Sequence, residues 1–249
     1  MPPSSASHRS YWRLSRAPRY SLLFALPLLV LYELLAFALS RDAIAGVRNG
    51  ADVLLKSLFV ALGGRWGVAA FGAVLLGTGA IFVWRDWRRS GGGISWRIFL
   101  AMFAESVLYA LLFGMVTGTL TGLVLRLVPA LSVTPIGGLA LPTQLMVSLG
   151  AGIYEELLFR VLIVAGLAAL ARRSFGWSRG PAGAFAVIIG ALLFSAFHYV
   201  GPYGDPFTVG SFVFRLIAGV LFSAMYLIRG FGITAWTHAL YDVFLSLIT

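Results

Sequence analysis

The sequence predicts an all-α fold, a polytopic bundle of about seven transmembrane helices with one further helix at the membrane interface. The chain has 249 residues, of which 59% are hydrophobic and only 11% charged. Its mean hydropathy is +0.91, far from the composition of a soluble domain. Several continuous apolar runs also reach the ~20 residues that cross a bilayer as a helix.

The apolar runs divide the chain into seven predicted spans, at residues 20–40, 66–84, 98–125, 143–171, 182–199, 212–228 and 231–248. We expect the first run to be a retained helix, because it is long for a cleaved signal peptide and leads into further spans. The stretch 41–65 mixes four basic residues with two aspartates, which favours an amphipathic interfacial helix. The chain, 1–249, is then one integral membrane domain, with a basic cytoplasmic leader at 1–19 and the helices that carry the candidate catalytic residues at 143–248.

The basic residues are placed as in a membrane protein. The formal net charge is +10, and all but one of the 19 basic residues are arginine. They cluster before the first span, between the second and third, and between the fourth and fifth, which is the positive-inside pattern. We therefore expect a multi-pass protein of a bacterial cell membrane with a cytoplasmic amino terminus, and no nucleic-acid partner. The absence of cysteine excludes disulfides and thiolate chemistry.

The stretch GIYEELLFR, at 152–160, places two adjacent carboxylates inside an apolar run. An ionised side chain at the centre of a bilayer costs roughly 2.5–3.5 kcal/mol on insertion scales, so it needs a partner or a wet cavity. Glu156 and Arg160 are four residues apart and can form an ion pair on one helix face. Glu155 lies about 100° around the helix from Glu156, and its partner must come from elsewhere.

Two later spans carry the other candidate groups. His198 ends the stretch FSAFH, and His238 begins HALYD, where Asp242 lies one helical turn further on. Each of these features alone is as well explained by structure as by function. Ionisable groups from three helices together predict an interior functional site. For the remaining intramembrane carboxylates, Glu33 and Glu105, packing or lining a cavity is the favoured role.

These groups match the requirements of amide hydrolysis inside a membrane. Glu155 is the best candidate for a general base, because no partner for it lies on its own helix. His198 can position the attacking water, and His238 with Asp242 can donate hydrogen bonds to a developing oxyanion. Two other classes of function stay open: a non-catalytic membrane scaffold or bacteriocin self-immunity protein, and an ion-coupled transporter.

The same residues carry a resemblance to a known family. EELLFR, FSAFH and HALYD resemble the EExxxR, FxxxH and Hxxx(N/D) motifs of the CPBP family, also called ABI, which is named for CAAX proteases and bacteriocin processing. The resemblance covers residues 144–242. It implies a glutamic-type intramembrane endopeptidase that cleaves membrane-embedded or lipid-modified, CAAX-like peptide substrates.

The resemblance also implies a role for each matching residue. Glu155 would activate water with His198, supported by Glu156 and Arg160, and the oxyanion site would comprise His238 and Asp242. Asn is commoner than Asp in the last motif, and an ionised Asp242 would orient His238 instead of donating a hydrogen bond.

The expected reaction needs no cofactor, although a divalent metal such as zinc is an alternative. Its ligands would be Glu155, His198 and His238. The glutamate mechanism is favoured because the sequence lacks an HExxH motif. The predicted span boundaries place these three residues at different depths in the membrane.

Overall fold

The computed structural model describes residues 11–40, 47–90, 93–126, 140–201 and 204–248. The first ten residues of the predicted leader and the first six of the predicted interfacial stretch lie outside these ranges. Every regular element in the described part is helical, which confirms the all-α class. The elements are α1 (Tyr11–Leu14), α2 (Pro18–Ser40), α3 (Gly50–Gly63), a 3₁₀ turn (Gly64–Trp66), α4 (Gly67–Ser90), α5 (Trp96–Arg126), α6 (Leu141–Gly150), a π-helical segment (Ala151–Val164), α7 (Ala165–Ser174), α8 (Arg179–Phe197), α9 (Val209–Arg229) and α10 (Phe231–Ile248).

The described helices are long and apolar enough for a multi-pass membrane protein. Six stretches qualify as membrane spans: Pro18–Leu39, Gly50–Ser90, Trp96–Arg126, Arg179–Phe197, Val209–Arg229 and Phe231–Ile248. A further helical path runs through α6, the π segment and α7 without a break. That path corresponds to the predicted span at 143–171. The chain is therefore an integral, multi-pass membrane protein.

Several arginine-bearing helix ends lie on one side of the molecule. Arg19, at the start of α2, forms an ion pair with Asp86 near the end of α4 at 3.6 Å. Arg16 donates a hydrogen bond to the carbonyl of Leu227 near the end of α9 at 3.1 Å. The up-and-down order of the predicted spans requires this proximity.

Glu105 of α5 has a partner that the sequence did not reveal. Its carboxylate accepts hydrogen bonds from Nε and Nη2 of Arg229 at 2.6 and 2.7 Å. The same guanidinium donates to Ser15 at 3.0 Å and lies 3.8 Å from the ring centre of Trp12. Tyr11 completes the cluster by donating its hydroxyl to Glu105. This ion pair fixes the short helix α1 against the bundle.

The structure confirms a helix, α3, within the predicted interfacial stretch, but the charged face of this helix has different surroundings from those expected. Asp52 is fully buried and Lys56 is 4% exposed. Lys56 Nζ lies 2.7 Å from Asp52 and 2.9 Å from Glu33 of α2, while Arg48 lies 3.1 Å from Asp52. The charged face of α3 therefore faces the bundle, where opposite charges pair with one another instead of with water or lipid headgroups.

Candidate active site

The stretch 152–160 lies in the π-helical segment. At its end the amide of Ala165 donates to the carbonyl of Arg160, five residues back. Such wide turns are rare and occur frequently at functional sites. Gly152 permits a close approach to α10, because a Cβ atom there would lie 2.4 Å from the carbonyl oxygen of Ala235 and 2.6 Å from Cβ of Ala239. The site is thus built where the widened helix contacts α10.

Glu156 joins two cationic groups from different helices. Its Oε2 lies 3.1 Å from Nε of Arg160, and both side chains are fully buried. Its Oε1 lies 2.7 Å from Nδ1 of His238 on α10. The predicted pair of Glu156 and Arg160 is therefore present, and it extends to a third residue.

Aromatic rings enclose the cationic part of this cluster. The guanidinium carbon of Arg160 lies 4.5 Å from the ring centre of Phe194 and 5.5 Å from that of Phe222. Phe222 also stacks on the imidazole of His238 at 4.2 Å. Within the described residues no guanidinium nitrogen of Arg160 has a hydrogen-bond acceptor. Charge pairing and cation–π contacts are the interactions that stabilise it.

Glu155 has one fixed and one free carboxylate oxygen. Its Oε1 accepts a hydrogen bond from Nδ2 of Asn49 at 2.7 Å. Its Oε2 lies 3.9 Å from Nε2 of His198, and no described residue donates a hydrogen bond to it. The free oxygen and the imidazole therefore face a shared space.

His198 presents a lone pair to that space. It caps the end of α8, just beyond the spanning segment, and its Nδ1 lies 2.8 Å from the carbonyl of Phe194. Because a carbonyl can only accept, Nδ1 carries the proton and Nε2 of the neutral ring is an acceptor. Burial lowers the pKa of His198, although the nearby Glu155 carboxylate acts in the opposite direction. The imidazole is therefore neutral at neutral pH.

His238 lies between two carboxylates. Nδ1 contacts Glu156, and Nε2 lies 3.5 Å from Oδ2 of Asp242 one turn further along α10. The predicted neighbourhood of His238 and Asp242 is thus present. A carboxyl group therefore lies beside each ring nitrogen of His238.

Exposure separates the six residues into two groups. The side chains of His198 and Asp242 are 24% and 28% exposed, and those of Glu155 and His238 are 9% and 5% exposed. Those of Glu156 and Arg160 are completely buried. An incoming molecule can therefore reach the first four residues but not the last two.

The structure brings all six predicted residues together, and it resolves the difference in predicted depth. His198 follows the last residue of α8, whereas Glu155 lies inside the π segment and His238 inside α10. The helices are staggered, so that the end of one lies beside the interior of the others.

The predicted metal ligands do not fit a metal centre. Within the described residues no group of three histidine, aspartate or glutamate side chains has an arrangement that could hold an ion. An N–H of Asn49 points at Oε1 of Glu155, and Nδ1 of His238 faces Glu156 rather than Glu155 or His198. Oε1 of Glu155 and Nδ1 of His238 are therefore engaged by other protein groups.

Asn49 is the site residue that the sequence analysis missed. It is the N-cap of α3 and lies 106 positions before Glu155. A helix start signal was its only mark in the sequence, because Asn is a common N-cap.

A groove of about 1300 Å³ lies on another face of the π segment. It runs between α2, α4 and α7, and Ile153, Tyr154 and Leu157 contribute to its wall. Arg16 and Arg172 also line it. None of the six predicted site residues lines this groove. We therefore do not identify it as the reaction site, despite its size.

The fold and the site define a class of protein: a polytopic helical membrane protein in which glutamate and histidine side chains meet in the interior. A family model described as type II CAAX prenyl endopeptidase Rce1-like matches residues 137–244, somewhat less than half of the chain. This match to the carboxyl-terminal part confirms the resemblance to CAAX-type proteases that the three motifs predicted. No curated protein and no solved structure matches the chain. The matched segment contains the six predicted residues, whereas Asn49 and helices α2 to α4 lie outside it.

Proposed function

We propose that this protein is an intramembrane endopeptidase that hydrolyses a peptide bond with water activated by Glu155. The observation that carries the proposal is the free Oε2 of Glu155, 3.9 Å from the acceptor nitrogen of His198. Two acceptors at this separation suit a molecule that donates two hydrogens. Water is such a molecule, and its lone pair would then point away from both side chains towards a substrate.

The remaining groups suit the other steps of hydrolysis. Glu155 takes a proton from water as its oxygen forms a bond to the carbonyl carbon. The resulting oxyanion is stabilised by an N–H at Nε2 of His238, beside the partly exposed Asp242, while Glu156 orients the ring through Nδ1. When the C–N bond breaks, Glu155 returns the proton to the departing amine. Arg160 holds Glu156 in place without touching the substrate.

The proposed substrate is a membrane-associated peptide with a lipid modification, of the prenylated CAAX class that the family acts on. A substrate embedded in the bilayer suits a site formed by spanning helices. We propose that the reaction needs no metal, because two of the atoms that a metal would need, Oε1 of Glu155 and Nδ1 of His238, are hydrogen-bonded to other protein groups.

A direct test compares Glu155→Gln with wild-type protein in liposomes that contain a farnesylated CAAX-type reporter peptide. General-base catalysis typically contributes ~10²–10⁴-fold, so cleavage should fall by at least ~100-fold. The melting temperature should change little, because the amide of glutamine fills the same volume. Asp86→Asn is the matched control, since Asp86 pairs with Arg19 far from the site, and it should cleave normally. Wild-type cleavage should also persist with a chelator.

Equal cleavage by wild type and Glu155→Gln would contradict the proposal. If neither cleaves the reporter, comparison of protein termini in native membranes replaces it. A terminus that depends on Glu155 identifies the substrate. Identical terminal profiles would favour a membrane scaffold, in which the buried cluster around Glu156 stabilises helix packing.

A further inference from the structure

We infer that Asn49 is a positioning residue for Glu155, supplied by helix α3 from outside the segment that matches the family. Its Nδ2 donates to Oε1 of Glu155 at 2.7 Å, and this hydrogen bond is buried. Asn49 itself is 2% exposed. The hydrogen bond occupies one carboxylate oxygen and leaves the other facing His198.

The orientation of the Asn49 amide is fixed by its second hydrogen bond. Oδ1 accepts from the backbone amide of Ala51 at 3.0 Å, as an N-cap does. With the oxygen used in this way, the NH₂ group must face Glu155. The same side chain therefore begins α3 and directs a donor at the carboxylate.

The position of Asn49 is set by buried neighbours on α2 and α3. The hydroxyl of Tyr32 accepts from the backbone amide of Asn49 at 3.3 Å and donates to Asp52 at 2.7 Å. Tyr32 and Asp52 are both fully buried. Gly150 allows this approach, because a Cβ there would lie 2.7 Å from Cβ of Asn49. Asp52, which is paired with charges on α3, thus holds Tyr32 in place, and Tyr32 holds Asn49 with its NH₂ group facing Glu155.

The consequence for chemistry rests on the proposed function, in which Glu155 is the general base. A donor on Oε1 stabilises the negative charge and restricts rotation of the carboxylate, so that Oε2 stays directed at the space shared with His198. Losing this donor should lower kcat more than it changes KM, because Asn49 is buried behind Glu155 and does not meet the substrate.

Two substitutions separate this role from the role of Asn49 as a helix cap. Asp and Ser are N-caps comparable to Asn, so Asn49→Asp and Asn49→Ser should both keep α3 capped. Asn49→Asp replaces the donor with a second carboxylate beside Glu155, and two such groups compete for one proton. Asn49→Ser removes the amide donor without adding charge, because its shorter hydroxyl serves as the cap of α3.

We expect Asn49→Asp to lower kcat by ~10-fold or more in the farnesylated reporter assay and to move the acidic limb of the pH profile upward by about one unit or more. Asn49→Ser should lower kcat several-fold with KM unchanged. A role limited to capping predicts a wild-type profile for both variants, and that result would overturn the inference. If Asn49→Asp fails to fold, an unchanged kcat in Asn49→Ser would overturn it equally.

A spectroscopic readout keeps this test independent of the proposed function. The carboxyl infrared band of Glu155 is assigned by subtracting the spectrum of Glu155→Gln, and its titration is followed in wild type and Asn49→Asp. An upward shift in the variant supports the inference even if no cleavage is found. Coincident titration curves would contradict the contact between Asn49 and Glu155 itself.

Discussion

Arg160 lies in the interior with its guanidinium beside one carboxylate and against two aromatic rings. A buried ion pair adds little net stability compared with apolar side chains, but removal of one partner is costly because the other charge remains buried. In this site the remaining charge would be that of Glu156, which also contacts His238. The pair therefore links the stability of the bundle to the geometry of the imidazole.

We predict that Arg160→Met destabilises the protein strongly, towards the ~3–5 kcal/mol typical of a broken buried pair. The double variant Glu156→Gln/Arg160→Met should recover most of that loss, since neither charge is then buried alone. Its reporter cleavage should stay low, because His238 loses the carboxylate that holds its proton. Thermal unfolding in detergent and the cleavage assay measure the two effects. A double variant no more stable than Arg160→Met would show that the unpaired charge of Glu156 does not cause the loss of stability.

At this scale, local contacts were predictable and distant ones were not. Glu156 with Arg160, and His238 with Asp242, are four residues apart on one helix, so periodicity places each pair on one face. The contact of Glu155 with His198 could be inferred from the scarcity of other partners and from the family resemblance, but not from helix periodicity. Asn49 was not predictable, because a hydrogen bond across 106 positions depends on how α3 packs.

The π-helical segment is the element that holds the site. The sequence predicted a helix there, but nothing in an apolar run indicates hydrogen bonds to the fifth preceding residue. Helix α3 was predicted as a helix, but the pairing of its charged face inside the bundle was not predicted. Alternating charges on one face look the same whether they meet water at an interface or pair inside a bundle, as Asp52 and Lys56 do.

The glycines of the spans give a prediction about helix contacts. A Cβ at Gly152 would lie 2.4 Å from the backbone oxygen of Ala235, which cannot move without shifting α10. At Gly118 nothing lies within 4 Å of an added Cβ. We predict that Gly152→Ala lowers stability by about 1–3 kcal/mol through overpacking and reduces cleavage, because α10 carries His238. Gly118→Ala is the matched control and should be neutral or slightly stabilising, as alanine favours helices.

Melting temperature and cleavage rate of the two alanine variants check this prediction. If both variants behave like wild type, the close packing of the π segment on α10 is not required. If both are equally damaged, the effect belongs to glycine in general rather than to the contact at Gly152.

For the molecule as a whole, composition was sufficient to predict the class, and charge placement predicted which helix ends lie together. The contact of Arg19 with Asp86 joins α2 to α4, and that of Arg16 with Leu227 joins α1 and α2 to α9. Hydropathy was sufficient to predict the spans because each span must be apolar, whatever its neighbours are. It could not predict the stagger of the helices, which depends on packing and brings His198 to the level of Glu155.

The orientation of the molecule in the membrane is the last prediction. Because arginines concentrate at one side, the positive-inside rule places that side in the cytoplasm. The connection from Ser174, the last residue of α7, to the start of α8 then lies on the cytoplasmic side, and α8 ends at the opposite side near Val200, which is 70% exposed. The chain has no cysteine, so Ser174→Cys and Val200→Cys each introduce a single thiol. A membrane-impermeant maleimide should label Ser174→Cys only in inside-out vesicles and Val200→Cys only in right-side-out vesicles. Wild type is the unlabelled control, and labelling in detergent verifies that both thiols react. Labelling of both from one side would mean that α8 does not cross the bilayer, and exchanged sides would mean that the arginine-rich ends face outward.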